Sequence, residues 1–223
     1  MTPGSPTSLD QPLVLAHDEA ASSGMPPVAE RISVAGTLLE TSRLMTELLR
    51  FVAPEVHHRT VRITSVVRRL VEELGVSQPW EFEVAARLSQ IGRLALPSAT
   101  RQRLAAGETL SQDDEDALAS HPLIARDLLA EVRRLDAVRE MVCRQREPYS
   151  VPGLPLGSRV SLDRMTLGRQ LLRVAADFDD QLSAGKSGED AVASLESRGG
   201  EYSADVLAAL RRLVAATTTA VAA

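Results

Sequence analysis

The chain has almost no aromatic residues from which to build a core. Only 3% of its 223 residues are Phe, Trp or Tyr, whereas 44% are hydrophobic. The core must therefore be filled by Leu, Val, Ala and Ile. Because Ala and Leu favour helices and β-branched runs are few, the composition predicts an all-α fold. A chain of this length can bury one sizeable core and still carry an extension.

Charge and cysteine content exclude several classes of protein. The formal net charge of −5 argues against a nucleic-acid partner, because phosphate backbones are bound by basic faces. The single cysteine, Cys143, excludes an intramolecular disulfide and a Cys-rich zinc site. No apolar run approaches the roughly 18 residues of a membrane span, and no secretory signal is recognisable. We therefore expect a cytoplasmic protein that binds no membrane.

Proline, glycine and serine divide the chain into segments. Residues 1–27 contain five prolines among Ser, Gly and Thr, and we expect a disordered tail. Residues 28–53 have apolar side chains at helical spacing, which predicts an amphipathic linker or dimerisation helix; a first core helix fits the pattern equally well. The domain itself is expected at 54–216, and the Ala/Thr-rich end at 217–223 is expected to fray.

Helical periodicity and chain breakers predict a series of helices within the domain. Ser111 and Asp114 form a capping box at the start of one, and the acidic run there complements the helix dipole. His121-Pro122 is expected to begin the next. The expected helices cover 59–74, 80–90, 98–105, 111–119, 121–132, 135–147, 162–182, 189–198 and the residues after 203, with a proline- and glycine-rich loop at 148–158.

The segment from Leu88 to Pro97 carries the most specific signal in the sequence. Its run Ser89-Gln90-Ile91-Gly92-Arg93 resembles the His-Asp-Ile-Gly-Lys motif of the HD and HD-GYP phosphohydrolases. Ser89 and Gln90 stand where that family has its metal-bridging His-Asp pair, and Arg93 stands at its lysine. The resemblance implies an HD-type bundle of seven or eight helices, preceded here by a linker helix.

Further blocks in the family's order extend the resemblance over roughly residues 59–213. Arg59 falls on the family's first histidine, although a slip of one residue would put His58 there. His121, within Ser-His-Pro, matches a histidine that the family also has.

Two later blocks complete the resemblance. Gln145-Arg146-Glu147 replaces the family's His-His-Glu, and Leu154 replaces the tyrosine of Gly-Tyr-Pro. Asp177 and Asp180 match an Ala-Asp pair and the second aspartate three residues further on. Both histidines of this region are therefore lost, whereas both aspartates remain.

The resemblance implies a pocket that has lost its chemistry. The family cleaves cyclic di-GMP with two or three metal ions held by His and Asp. Ser is a poor ligand for a divalent ion and neutral Gln offers only a carbonyl oxygen, while arginines near a dication oppose its binding. We expect no catalytic residue and no cofactor. The expected vestigial pocket consists of Arg59, Ser89, Gln90, Arg93, His121, Gln145, Arg146, Glu147, Asp177 and Asp180.

Three functions remain open at this point. The preferred one is an inactive HD-GYP-like regulatory module in bacterial signal transduction, which contacts signalling proteins and forms a homodimer through residues 28–53. The second is a metal-dependent phosphohydrolase of the cyclic di-GMP phosphodiesterase type, with Fe, Mn or Zn on His58, His121 and Asp177. The third is a non-hydrolysing sensor that binds a cyclic dinucleotide through Arg59, Arg93 and Arg146.

The last two functions have simpler alternatives. In the alternative to the sensor, the arginines pair with Glu147 and Asp177 and leave a plugged pocket, and this is the interpretation we prefer. His121 is interpreted equally well as a helix-cap or hydrogen-bonded core histidine.

Overall fold

The computed structural model describes residues 28–149 and 163–222, with side chains from residue 34 to residue 218 within those ranges. These residues form nine α-helices and one short 3-10 helix, and none of them lies in a strand. The prediction of an all-α fold is confirmed. The expected tail at 1–27, most of the expected loop at 148–158 and the block containing Leu154 lie outside the described residues.

The helices follow one another with short connections. Their bounds are α1 (Val28–Val52), α2 (Pro54–Glu73), α3 (Trp80–Leu88), the 3-10 helix (Ile91–Ala95), α4 (Ser98–Ala106), α5 (Gln112–Leu129), α6 (Asp136–Cys143), α7 (Arg164–Ser183), α8 (Gly188–Glu196) and α9 (Ala204–Ala222). No described helix is long and apolar enough to cross a bilayer.

Helix α2 is central to the fold and contacts α1, α3, α7 and α9. Its residues Ile63, Val67 and Leu70 are fully buried and pack into the main core with Phe82 of α3 and Leu171 of α7. Burial of each such side chain stabilises the fold by about 1.5–3 kcal/mol. The core is built mainly from aliphatic side chains, as the composition requires.

Helix α1 covers the core with one side only. Leu49 is buried, whereas Leu44, Leu48, Phe51 and Val52 are between 54% and 83% exposed. Helix α1 therefore has a second apolar face, which is uncovered in the single chain.

Helix α5 corrects a prediction. The sequence placed one helix at 111–119 and a second from His121-Pro122 onward, but α5 is continuous from Gln112 to Leu129 with Pro122 inside it. Proline has no N–H to donate to the carbonyl four residues earlier. Here the Nδ1 of His121 lies 2.7 Å from Leu118 O, the carbonyl that loses its donor. The predicted capping box of Ser111 and Asp114 at the start of α5 is confirmed.

Three helix bounds also differ from the sequence prediction. Helix α2 begins at Pro54, earlier than residue 59, because proline suits the first turn of a helix. Helix α3 ends at Leu88 and the chain then continues into the 3-10 helix. Helix α6 ends at Cys143, before the expected end at 147, and the residues that follow form turns.

Gly92 allows the 3-10 helix to lie directly against α5. A Cβ atom at this position would lie 1.9 Å from His121 O and 2.9 Å from Ala125 N. Only glycine permits two backbones to approach so closely. This contact brings the segment containing Gln90 and Arg93 beside His121.

Candidate functional site

A cavity of about 710 Å³ gathers most of the residues predicted from the sequence. Its volume is within the range of small-molecule sites. Seven arginines and three carboxylates line it, so its walls carry an excess of positive charge. The predicted residues in the lining are His58, Arg59, Gln90, Arg93, His121, Gln145, Arg146, Asp177 and Asp180.

Two other predicted residues lie outside the lining. Ser89 is fully buried behind Gln90, and its Oγ donates to Ala86 O at 2.8 Å and accepts from Gln90 Nε2 at 3.0 Å. Glu147 is exposed and accepts from Arg169 Nη1 at 2.8 Å. Ser89 therefore supports the wall of the cavity, and Glu147 takes no part in it.

Arg59 is the centre of an ion-pair network on the cavity floor. Its side chain is only 10% exposed. Its Nη1 lies 2.9 Å from Asp179 Oδ2 and 2.5 Å from Asp180 Oδ1, and its Nε donates to Gln90 Oε1 at 3.2 Å. Charge-assisted bonds of this kind are short and directional. The guanidinium is therefore fixed by partners on two other segments of the chain.

Asp179 is a site residue that the sequence analysis missed. It is 2% exposed, and it accepts from Arg59 and also from Arg62, whose Nε lies 2.5 Å from Asp179 Oδ1. A signal for it was present, because Asp179 falls at helical spacing after the buried residues Leu171, Leu172 and Ala175. A carboxylate on an apolar helix face predicts a buried cationic partner.

The geometry distinguishes Arg59 from its neighbour His58. Arg59 reaches inward to the buried Asp179, whereas His58 is exposed at the cavity edge. His57 points elsewhere, with its Nε2 3.8 Å from Oε1 of Glu47 on α1. Of the two candidates for the first position, Arg59 is therefore the one whose side chain is fixed on the cavity floor.

Gln145 connects α6 to the motif segment. It is 3% exposed, and its Nε2 donates to Ser89 O at 3.0 Å and to Val142 O at 2.9 Å. The side chains of Gln145 and Gln90 therefore make hydrogen bonds within the protein that hold the wall together.

His121 lines the cavity and has one ring nitrogen without a hydrogen. A carbonyl only accepts, so Nδ1 donates to Leu118 O and carries the hydrogen. Burial first, and then the positive charges of Arg93 and Arg146, lower the pKa of His121 to about 3. The imidazole is therefore neutral at neutral pH. Its Nε2 is buried and has no hydrogen-bond partner among the described residues.

Arg93 is a partly buried cation for which the described residues supply no hydrogen-bond acceptor. Its Nε is shielded from solvent and has no hydrogen-bond partner in the described part of the chain. Burial lowers the pKa of Arg93 to about 9, with a further contribution from Arg59 and Arg146, although Asp180 and Asp179 oppose the effect. The group still carries its charge at neutral pH.

Asp177 belongs to a second group of ion pairs on the wall. Tyr202 Oη donates to its Oδ2 at 2.7 Å, and Arg198 Nη1 and Arg173 Nε lie 3.6 and 3.7 Å from the same oxygen. Burial and the Asp177 carboxylate raise the pKa of Tyr202. Arg173 also pairs with Glu201 at 2.5 Å.

The expected pairing of the site arginines is therefore different in the structure. Arg59 pairs with Asp179 and Asp180, whereas the sequence analysis preferred Glu147 and Asp177. Arg93 and Arg146 have no carboxylate within 4.0 Å among the described residues. These pairs join residues far apart in the sequence, which motif spacing does not reveal.

The fold and the cavity together define a class of protein: an all-helical domain with a polar site between its second, fifth and seventh helices. Residues 43–206 match the HD domain family, and the chain belongs to that family. The matched region begins within α1 and ends within α9. No curated protein matches the chain.

The metal ions that this family implies do not fit the donor groups of the cavity. Among the described residues, no three His, Cys, Asp or Glu side chains come together as ligands. Of His58, His121 and Asp177, only His121 has a lining-residue nitrogen that could act as a metal ligand without first losing a partner. His58 is exposed at the edge of the cavity, and Asp177 is already hydrogen-bonded. Two arginines, Arg59 and Arg93, place their positive charge in the same space.

Proposed function

We propose that the chain is a catalytically inactive HD-domain module that acts in bacterial signalling through contacts with other proteins. The observation that carries this proposal is the bonding of Arg59 to Asp179 and Asp180. A guanidinium on the cavity floor supplies positive charge at the position where the family motif has a metal-binding histidine. That charge is fixed to protein carboxylates and generates no nucleophile.

The remaining groups do not replace a metal-bound hydroxide. Hydrolysis of a phosphodiester at neutral pH needs an activated water, which a metal ion supplies by lowering the water's pKa. His121, with its pKa lowered to about 3, is too weak a base for that task. The carboxylates of Asp177 and Asp180 are already neutralised by arginines. The donor set thus supports binding without turnover.

Exposed apolar side chains on α1 support this role. Leu44, Leu48, Phe51 and Val52 form an exposed apolar stripe along one face. Large apolar residues that recur on one side of a helix are typical of an interaction surface. We propose that this stripe forms the homodimer and that a signalling protein is recognised by the assembled module.

The test of the proposal is a turnover assay with cyclic di-GMP and with a generic phosphodiester. The purified chain is assayed with Mn²⁺, Fe²⁺ and Zn²⁺ in turn, beside an HD-domain hydrolase as positive control. We expect no turnover above background with any ion. Turnover that depends on an added ion and disappears in His121→Ala would contradict the proposal and support the phosphohydrolase alternative.

A further inference from the structure

We propose that the cavity binds a phosphate group between Arg93, Arg146 and His121, and that the bound ligand also donates an O–H to His121. The shared chemistry is that of hydrogen phosphate or of a sugar phosphate with a neighbouring hydroxyl. The inference rests on the proposed function, because it needs the metals to be absent.

The first step is the distribution of ion pairs among the lining arginines. Five of them have a carboxylate within 4.0 Å: Arg59, Arg62, Arg101, Arg173 and Arg198. Arg93 has none in the described residues, and Arg146 makes a long contact of 3.5 Å from Nη1 to Leu118 O. The cavity therefore has two guanidinium groups whose donors are available to a ligand.

The second step is that Arg93 is not an ordinary surface cation. Its Nε is shielded from water and lacks a partner among the described atoms, and burial lowers the pKa of the group to about 9. A partly buried charge with no carboxylate within 4.0 Å among the described residues costs free energy, which an anion in the same cavity would recover. Guanidinium groups match the oxygens of phosphate through paired N–H donors.

The third step concerns His121 and gives the site its selectivity. His121 is 3% exposed, and its Nε2 has no hydrogen-bond partner in the described structure. Because Nδ1 carries the hydrogen, Nε2 only accepts. A ligand that carries an O–H beside its anionic oxygens can donate a hydrogen bond to Nε2. Sulfate has no hydrogen to donate, so its oxygen lone pairs and the lone pair of Nε2 repel each other.

The fourth step narrows the class of ligand. The cavity lining described by the structure includes no Phe, Tyr or Trp, so no large aromatic side chain is placed to stack on a nucleobase. Its apolar lining is aliphatic, as in Val56, Leu104 and Leu118. A volume of about 710 Å³ leaves room for a sugar beside the phosphate. Recognition is therefore expected through the phosphate and a hydroxyl, with no need of a base.

The experiment is isothermal titration of the full chain in EDTA with three probes: inorganic phosphate, ribose 5-phosphate and sulfate. The chelator removes any contribution from metal ions. We expect the Kd of phosphate to be lower than that of sulfate by a factor of about ten or more. The reason is that His121 Nε2, a hydrogen-bond acceptor, faces a sulfate oxygen that carries no hydrogen, which costs free energy. If ribose 5-phosphate binds more tightly than inorganic phosphate, the ligand is a phosphate ester. If it binds equally or more weakly, the ligand is the free phosphate anion.

Two variants separate the site from general charge. Arg93→Gln removes the unpaired guanidinium, and we expect it to weaken phosphate binding about tenfold or more. Arg198→Gln, on the same wall but paired with Asp177, is the matched control and should change binding little. Thermal unfolding confirms that both variants are folded.

Two results would overturn the inference. One is the absence of binding by all three probes at millimolar concentration, and the other is an equal loss in Arg93→Gln and Arg198→Gln. Neither result would contradict the proposed function, because the proposed function is tested by turnover with added metal ions. Conversely, metal-dependent hydrolysis would contradict the proposed function while the titration in EDTA still measured the anion site.

Discussion

The Nδ1 of His121 lies 2.7 Å from Leu118 O, the carbonyl that the proline at position 122 leaves without its helical donor. One hydrogen bond thus has two effects. It compensates the carbonyl that Pro122 leaves open within α5, and it fixes the tautomer in which Nε2 carries no hydrogen. The pair His121-Pro122 thus orients an imidazole on the cavity wall.

His121 should make the stability of the protein depend on pH. Its folded-state pKa of about 3 is below the ordinary value of 6.5, so the unfolded chain binds a proton more readily than the folded chain. The stability is therefore fully present above about pH 6.5 and is lost as the pH falls toward about 3. Urea unfolding at several pH values measures this loss. His121→Gln should reduce the loss of stability at low pH, and His58→Gln, at an exposed position, should not. An equal pH dependence in the unchanged protein and in both variants would contradict the assignment of this loss to His121.

Removal of Arg59 should destabilise the fold far more than removal of Arg62. Both arginines bond to Asp179, but the side chain of Arg59 is 10% exposed and that of Arg62 is 50% exposed. Arg59→Met leaves the buried Asp179 carboxylate poorly compensated and should cost about 3–5 kcal/mol, whereas Arg62→Met should cost about 1 kcal/mol or less. Denaturant unfolding measures both values.

The double variant Arg59→Met with Asp179→Asn provides the control for this pair. Because it removes both charges together, its loss of stability should be smaller than the sum of the two single losses. Simple additivity would mean that the two groups do not interact as the geometry indicates.

Gly92→Ala should disturb the contact between the 3-10 helix and α5. A Cβ at Gly92 would lie 1.9 Å from His121 O, so one backbone must move, at a cost of about 1–3 kcal/mol. Gly36→Ala in α1 is the matched control, since a Cβ there meets nothing within 4 Å and alanine favours a helix. Thermal unfolding of the two variants should shift in opposite directions; an unchanged Gly92→Ala would show that the two segments are not held in close contact.

Charge on the exposed stripe of α1 should abolish the proposed homodimer. Leu48 and Phe51 are 54% and 83% exposed, so Leu48→Asp with Phe51→Asp should leave the folded chain intact. Light scattering or sedimentation should then give the mass of a monomer at concentrations where the unchanged protein is a dimer. Leu49 is unsuitable for this test because it is 7% exposed and packs inward. A dimer that persists in the double variant would place the interface elsewhere.

The helical architecture was predictable because it depends on local patterns. Apolar spacing and glycine or proline breaks located most of the helices, and Gly107 ends α4 in the left-handed conformation with φ 68. Pro122 misled the prediction, because the sequence does not show that a side chain will bond to the carbonyl that proline leaves open. That compensation depends on the rotamer of His121 inside a folded helix.

The residues of the cavity were also largely predictable, but their partners were not. Motif spacing located Arg59, Gln90, His121 and Asp177, all of which line the cavity. One acceptor of Arg59 is Asp179, 120 positions away, and no local pattern joins the two residues. Tertiary packing decides which arginines are paired with carboxylates and which keep donors available to a ligand. The inference about anion binding depends on that difference.

The most direct test of the account is the metal content of the purified chain, measured by elemental mass spectrometry beside His121→Ala. The account predicts transition metals well below one ion per chain in both proteins, because Arg59 is fixed on the cavity floor by Asp179 and Asp180. About two ions per chain, as in dinuclear hydrolases, and their loss in His121→Ala would contradict it.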